Sequence, residues 1–384
     1  MNLNNYFNPV ELDKPEDAEI LSDSIFGKNI KVNTPSTPID EISNYNIAIL
    51  GIPEDRNSSN KGVSLAPDHI RAKLYRLYKI NDKLKIIDLG NLKEGNTYND
   101  TYYGLRDVLT ELLNNQVISI IIGGTQDLTY ANYLAFEQYK SNINLVTVDS
   151  VIDIDFSEST FNAKSYLSKI LINNKKILKY VNLAHQLYLN DQEVIKQLKN
   201  LSFDSLRLGL IRSDISIVEP VLRDADIMSF DISAVKQSDA PANYYASPNG
   251  LHAEEACQIA KYSGLSDSIS SFGIYDLNPV YESNNQTINL AAQIIWHFIE
   301  GYSVRKIENP LAGDKDFKVF IVSHKDMEFE ITFYKSLITN RWWMSVPKAN
   351  SQETVIIACS HEDYQQACKH EIPDLWWKSY QRIN

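Results

Sequence analysis

Apolar runs rich in β-branched residues occupy positions 46–50, 117–122, 143–148 and 225–230 and stop at polar or glycine residues. That is the pattern of strands buried on both faces. Between the first two runs, Leu105, Val108, Leu109 and Leu112 recur at the spacing of one helix face. Ala66-Pro67 opens another helix, because the fixed φ of proline suits a first turn, and Ile70 and Leu74 fall on its inner face. Ile288, Ala291, Ala292, Ile295 and Ile299 make a third apolar stripe. Alternation of this kind implies a parallel sheet with helices on both faces. The ligand crevice of such a sheet lies beyond the carboxyl ends of its strands. Gly123, Asp149 and Asp231 each follow a strand directly.

The last eighty or so residues change character. Positions 317–323, 327–333 and 354–359 read as short strands, two of them alternating in the antiparallel manner. Trp342, Trp343, Trp376 and Trp377 place four of the five tryptophans here. They either cement a small β appendage onto the main domain or offer a surface to a protein partner, since tryptophan is rich in binding hot spots. The stretch 307–314, with its proline and glycine, reads as the junction.

Composition narrows the function classes. A chain of 384 residues, 43% hydrophobic and 22% charged, can bury a sizeable core. A net charge of -12 with no lysine/arginine cluster argues against nucleic acid or an anionic membrane as partner. Cys257, Cys359 and Cys368 make no disulfide framework and read as reduced thiols, so a cytoplasmic location is expected. Residues 1–14 lack the pattern of a signal peptide, and no apolar stretch approaches the ~20 residues of a membrane span.

The candidate chemistry lies in three segments, 123–127, 149–153 and 229–233, set where a dinuclear metal site would be built. Asp149, Val151 and Asp153 are two residues apart, so an extended backbone would point all three the same way. The carboxylates are good hard-metal ligands, whereas valine offers no lone pair. Left empty, such carboxylates repel one another and raise at least one pKa. A single hard cation on Asp149, Asp153 and Asp231 is one alternative, because magnesium accepts carboxylates plus waters.

Motifs in order along the chain carry a resemblance. They are Gly51-Ile-Pro-Glu-Asp55, Asn60-Lys-Gly62, Ala66-Pro-Asp-His-Ile-Arg71, Gly123-Gly-Thr-Gln-Asp127, Asp149-Ser-Val-Ile-Asp153 and Ser229-Phe-Asp-Ile-Ser233 with Ala240-Pro241. Asn249-Gly-Leu251, Glu254-Glu-Ala256, Asn278-Pro279 and Thr287 follow. Over about residues 44–301 the chain resembles the arginase/agmatinase/formimidoylglutamase (ureohydrolase) family. The resemblance implies a three-layer α/β/α sandwich with a mostly parallel central sheet of about eight strands over residues 44–303. An N-terminal extension, 1–43, would wrap its surface, and a β-rich appendage, 304–384, would pack on it.

The family binds two manganese ions through two histidines and four aspartates. By resemblance, Asp149, Asp153 and Asp231 stand at three of those positions, Gln126 and Val151 replace the histidines, and Ser233 replaces an aspartate. Asp127 completes the first motif. Lys236 stands where a further acidic residue belongs, as a possible internal ammonium, and Asp276 replaces a substrate-facing glutamate. No catalytic histidine is evident: His185 lies too far downstream, and 156–170 contains none. Metal binding lowers the pKa of water from 15.7 to roughly 7, on the order of 12 kcal/mol. Loss of three ligands therefore leads to the expectation of an inactive homologue, a cytoplasmic binding or scaffold protein with no cofactor. The alternative is an active hydrolase of amidines or guanidines with a non-standard site holding manganese or a single magnesium ion. A homo-oligomer is implied by the family.

Overall fold

The apolar runs fold as strands covered on both faces, and every residue of the central ones is buried. The structure is a computed structural model that describes residues 1–11, 22–156, 161–172, 174, 176–308, 310, 315–324, 329–349, 351 and 353–384. In chain order the main sheet comprises β1 (Phe7–Asn8), β2 (Lys31–Val32), β3 (Ile47–Gly51), β4 (Ile86–Leu92) and β5 (Ile118–Ile122). It continues with β6 (Ile143–Val148), β7 (Ile177–His185), β8 (Asp204–Arg207), β9 (Ile227–Asp231) and β10 (Ser271–Tyr275).

The spatial order is β1-β4-β3-β5-β10-β9-β6-β7-β8, with β2 also on β4. Among the described residues only the β1–β4 pairing is antiparallel. The anticipated sheet of about eight strands is present. The two extra strands, two residues each, are Phe7–Asn8 and Lys31–Val32, which lie before the expected start of the domain and join its sheet.

Helices Ala66–Leu74, Ala253–Gly264 and Gln286–Val304 cover one face and bury Ile70, Leu74, Ile259, Ile295 and Phe298. Tyr98–Asn114, Leu128–Tyr139 and Tyr166–Leu171 cover the other with Leu105, Val108, Leu109, Leu112 and Phe136. Each such side chain contributes about 1.5–3 kcal/mol. The helix Tyr98–Asn114 starts where the sequence provides a reciprocal cap. Thr97 Oγ1 accepts from the Asp100 N–H, and the Asp100 carboxylate accepts from the Thr97 N–H.

The C-terminal region is a second sheet, β11 (Phe317–His324), β12 (Phe329–Ser336), β13 (Trp342–Pro347) and β14 (Thr354–Cys359), antiparallel in that order. Two helices, His361–Cys368 and Asp374–Ile383, complete it. Much of the expected 307–314 junction, and the start of the expected 327–333 strand, lies outside the described residues.

Trp342, Trp343 and Trp376 are only 7%, 5% and 4% exposed, which corrects the expectation that all four tryptophans could face a partner. Trp342 stacks on Phe320 and Tyr364, and the Arg223 guanidinium lies over the Trp343 ring. Trp376 donates its indole N–H to the Ser345 carbonyl. Of the four, Trp377 alone is exposed. Among the described residues, no helix is long and apolar enough to cross a membrane.

Candidate functional site

Four neighbouring strands, in the order β5-β10-β9-β6, end at one crevice. Their carboxyl ends carry Gln126, Asp276, Asp231 and Asp149, where parallel sheets gather ligands. Gly123 and Gly124 turn the chain after β5 at φ +81° and +72°, which glycine adopts without strain. A β-carbon on Gly123 would lie 2.8 Å from Pro67 Cδ, and one on Gly124 2.8 Å from the Ile52 carbonyl oxygen. This tight turn brings the Gln126 N–H onto Asp276 Oδ2 at 2.8 Å. Asn60 Nδ2 donates to Asp276 Oδ1 at 3.1 Å, and Asn243 Nδ2 to its carbonyl oxygen at 2.8 Å.

Strand β6 ends at Val148, and the segment 149–153 turns instead of continuing extended. Asp149 Oδ1 accepts from the Val151 N–H at 2.9 Å, the local bond by which aspartate favours turns over strands. The expected extended geometry is therefore corrected, although Asp149, Val151 and Asp153 all still line the crevice. Asp231 repeats the device, accepting from the Ser233 N–H at 2.7 Å. The Ser233 hydroxyl donates to Asp149 Oδ1 at 3.5 Å and links two neighbouring strand ends. The cavity has a volume of about 830 Å³, within the range of small-molecule sites.

Electrostatics at its floor are severe. Burial, then neighbouring carboxylates, lift the Asp149, Asp153 and Asp231 carboxyls well above the usual range. Burial also pushes Asp276 up to about 6, against the Asn60 and Gln126 hydrogen bonds that favour its charged form. Groups so placed cannot all ionise alone. They call for protons or a cation.

Three residues grouped with the site from sequence, Gln126, Asp127 and Lys236, lie outside the cavity lining. Asp127 is buried behind it, accepting from Asn57 Nδ2 at 2.8 Å and from the Tyr102 and Thr125 hydroxyls. Lys236 pairs with Asp239 at 3.4 Å, satisfied by its own loop. The ammonium at the crevice is instead Lys164, which favours the charged form of Asp153. Its sequence signal was slight, a lysine within the stretch 156–170 where a histidine was sought. Residues 157–160 of that stretch lie outside the described residues. His185 is buried at the end of β7, with its pKa lowered by burial. No histidine is among the described residues that line the cavity.

The donor set bears on a metal. The Gln126 side chain is 1% exposed, and neither its nitrogen nor its oxygen has a partner, a rare condition for a buried amide. Carboxylate and amide oxygens are hard-cation ligands. Asp149, Asp153 and Asp231 all line the cavity and are the donor type a hard divalent ion would use, and the Gln126 N–H is bonded to Asp276 beside them. Val151 and Ser233 leave a second ion short of donors. Among the described residues, no three acidic, histidine or cysteine side chains stand close enough together to hold a metal ion as placed.

Comparison with known proteins places this geometry. The arginase family model matches residues 45–300. A formimidoylglutamase of Staphylococcus aureus (strain MRSA252) is 23% identical over 284 residues, 70% of this chain and 89% of the relative. Among solved structures, Trypanosoma cruzi formiminoglutamase with Mn2+2 superposes with a TM-score of 0.64 at 20% identity, covering 70% of this chain and 97% of that one. Formimidoylglutamase from Bacillus subtilis gives 0.62 at 18% identity, covering 72% and 97%. The expectation of no cofactor is overturned by the Trypanosoma cruzi enzyme, which carries Mn2+2 on the same fold.

Proposed function

The chain belongs to the arginase family, and we propose that it hydrolyses a C–N bond of a linear amidine or guanidine in this crevice. The observation that carries the reading is the set of four carboxylates around one cavity, with Asp149, Asp231 and Asp276 buried and Asp153 half-buried. An amidinium or guanidinium is planar and cationic, and its N–H groups make charge-assisted bonds to carboxylates roughly twice as strong as neutral ones. The formimidoylglutamases among its relatives support turnover over an inactive scaffold.

Manganese would be held by Asp149, Asp153 and Asp231, with Gln126 as a further oxygen donor; when bound it supplies a water of lowered pKa. The chain's own residues do the rest. The floor carboxylates orient the cationic head. The walls from 57–59 and 244–248 enclose it. Asp276, whose carboxyl is raised by burial above the usual range, is placed for acid–base work. It gives a proton to the departing nitrogen as the C–N bond breaks. It recovers one from the water whose oxygen bonds to the amidine carbon.

Ligand capture without turnover is the second reading, and Val151 and Ser233 favour it, since neither restores the ligand it replaces. The two are separated by incubating manganese-loaded chain with formimidoylglutamate, agmatine and arginine and measuring formamide, ammonia or urea. Release of any of these products that Asp231→Asn abolishes supports hydrolysis. Saturable binding of these compounds with no product favours capture.

A further inference from the structure

The crevice is electrically polar from floor to lip. Its floor is the carboxylate set, and among the described lining residues Lys164 is the one cation. The lip is built, not loose. Lys164 Nζ sits 4.4 Å from the centroid of the Tyr245 ring, within the range of a cation–π attraction. The Tyr245 hydroxyl shares a 2.7 Å hydrogen bond with Ser59 Oγ. Its backbone N–H donates to Asn243 Oδ1 at 2.6 Å, and Asn243 Nδ2 donates in turn to the Asp276 carbonyl oxygen at 2.8 Å. Behind Lys164, its own N–H donates to Asn162 Oδ1 at 2.8 Å, and the Ala163 N–H reaches the Asn57 carbonyl oxygen at 3.3 Å. A continuous set of contacts thus fixes the lip cation relative to the acidic floor.

Tyr244 and Tyr245 line the same crevice. Tyr244 meets Tyr245 edge to face, with centroids 4.8 Å apart. Both rings are part-exposed, at 53% and 40%. Their faces suit an aliphatic spacer.

Resting on the amidine reading above, we propose that Lys164 is a specificity-determining residue that selects zwitterions, with a cationic amidine or guanidine head and a carboxylate at the far end. The floor rejects a ligand that is anionic throughout. Lys164 rejects one whose far end is a bare amine, a repulsive element of the kind that specificity needs. A zwitterion alone places each charge against its opposite.

Arginine and agmatine differ by one carboxylate and make a matched pair of probes. Their dissociation constants are measured by calorimetry on the full-length, chelator-treated chain, in which no turnover intervenes. The native chain should prefer arginine by about tenfold or more. Lys164→Met should remove that preference, and Lys164→Glu should invert it. Removal of Lys164 also alters the field on the floor, but that change acts on both heads alike and cancels in the ratio. A ratio unchanged in both variants would overturn the role of Lys164 and leave the amidine reading standing. Failure of the native chain to bind either compound would overturn both.

Discussion

The backbone N–H of Gln126 donates to Asp276 Oδ2 at 2.8 Å and ties the ends of β5 and β10 together at the crevice floor. The bond holds the backbone of Gln126 while its buried side-chain amide is left without a partner. Replacing that amide by a shape-matched apolar group should relieve a desolvation cost of about 1–3 kcal/mol. Gln126→Leu is therefore expected to stabilise the chelated chain by urea unfolding and to weaken manganese binding on the order of tenfold or more. A variant less stable without metal, or one that binds manganese as before, would show that the amide has another role.

The stability of the metal-free chain should depend on pH in a defined direction. Asp276 ordinarily titrates near 3.8 and is pushed up to about 6 in the fold. The folded chain keeps a proton that the unfolded chain releases, so this contribution is fully present below about 3.8 and is lost as pH rises through about 6. The raised Asp149, Asp153 and Asp231 carboxyls act in the same direction. For Asp276 alone the loss is on the order of 3 kcal/mol. Asp276→Asn should flatten that part of the profile in pH-dependent urea unfolding. A chelated chain that gains stability between pH 4 and 7 would contradict the assignment.

Much of this architecture was legible in the sequence, and for a simple reason. Strands such as Ile118–Ile122 are covered on both faces, so their apolar runs are unbroken. Asp149, Asp153 and Asp231 were legible as crevice residues because their segments follow apolar strand runs, and Asp276 through the family resemblance alone. Lys164 was not, because its place depends on a ring 81 positions further along the chain. Asp127 was misread for the same cause, since the Asn57 that holds it is 70 positions away. Strand β13 went unnamed because Trp342, Trp343 and Met344 are all buried and show no alternation. The turn at 149–153 was hidden by a local bond that competes with extension.

Restoring the missing ligands should raise the metal capacity. Gln126→His, Val151→His and Ser233→Asp together supply three donors at the positions the family resemblance assigns. Lys236 needs no replacement, because it already pairs with Asp239 outside the cavity. The triple variant should take up a second manganese ion and gain a larger metal-dependent rise in Tm than the native chain, as a ligand stabilises the state it binds. A folded variant with unchanged metal uptake would break the correspondence of these segments.

The appendage should be welded to the core through Arg223. This side chain is 3% exposed, pairs with Glu219 at 2.6 Å, donates to the Trp342 carbonyl oxygen at 2.7 Å and covers the Trp343 ring. Arg223→Ala leaves Glu219 short of one partner in a part-buried setting and should cost about 3–5 kcal/mol in denaturant unfolding. Trp377→Ala, at an exposed ring, should cost well under half of that. Equal effects would show that the interface is not organised around Arg223.

The most direct test is to count metal on the purified chain. After loading with excess manganese and removal of free ion, elemental mass spectrometry should find one manganese per native chain and almost none in Asp149→Asn/Asp231→Asn. Circular dichroism would show that the double variant is folded. A native chain that retains no manganese, or as much as the double variant does, would contradict the carboxylate crevice as a metal site and the hydrolytic reading built on it.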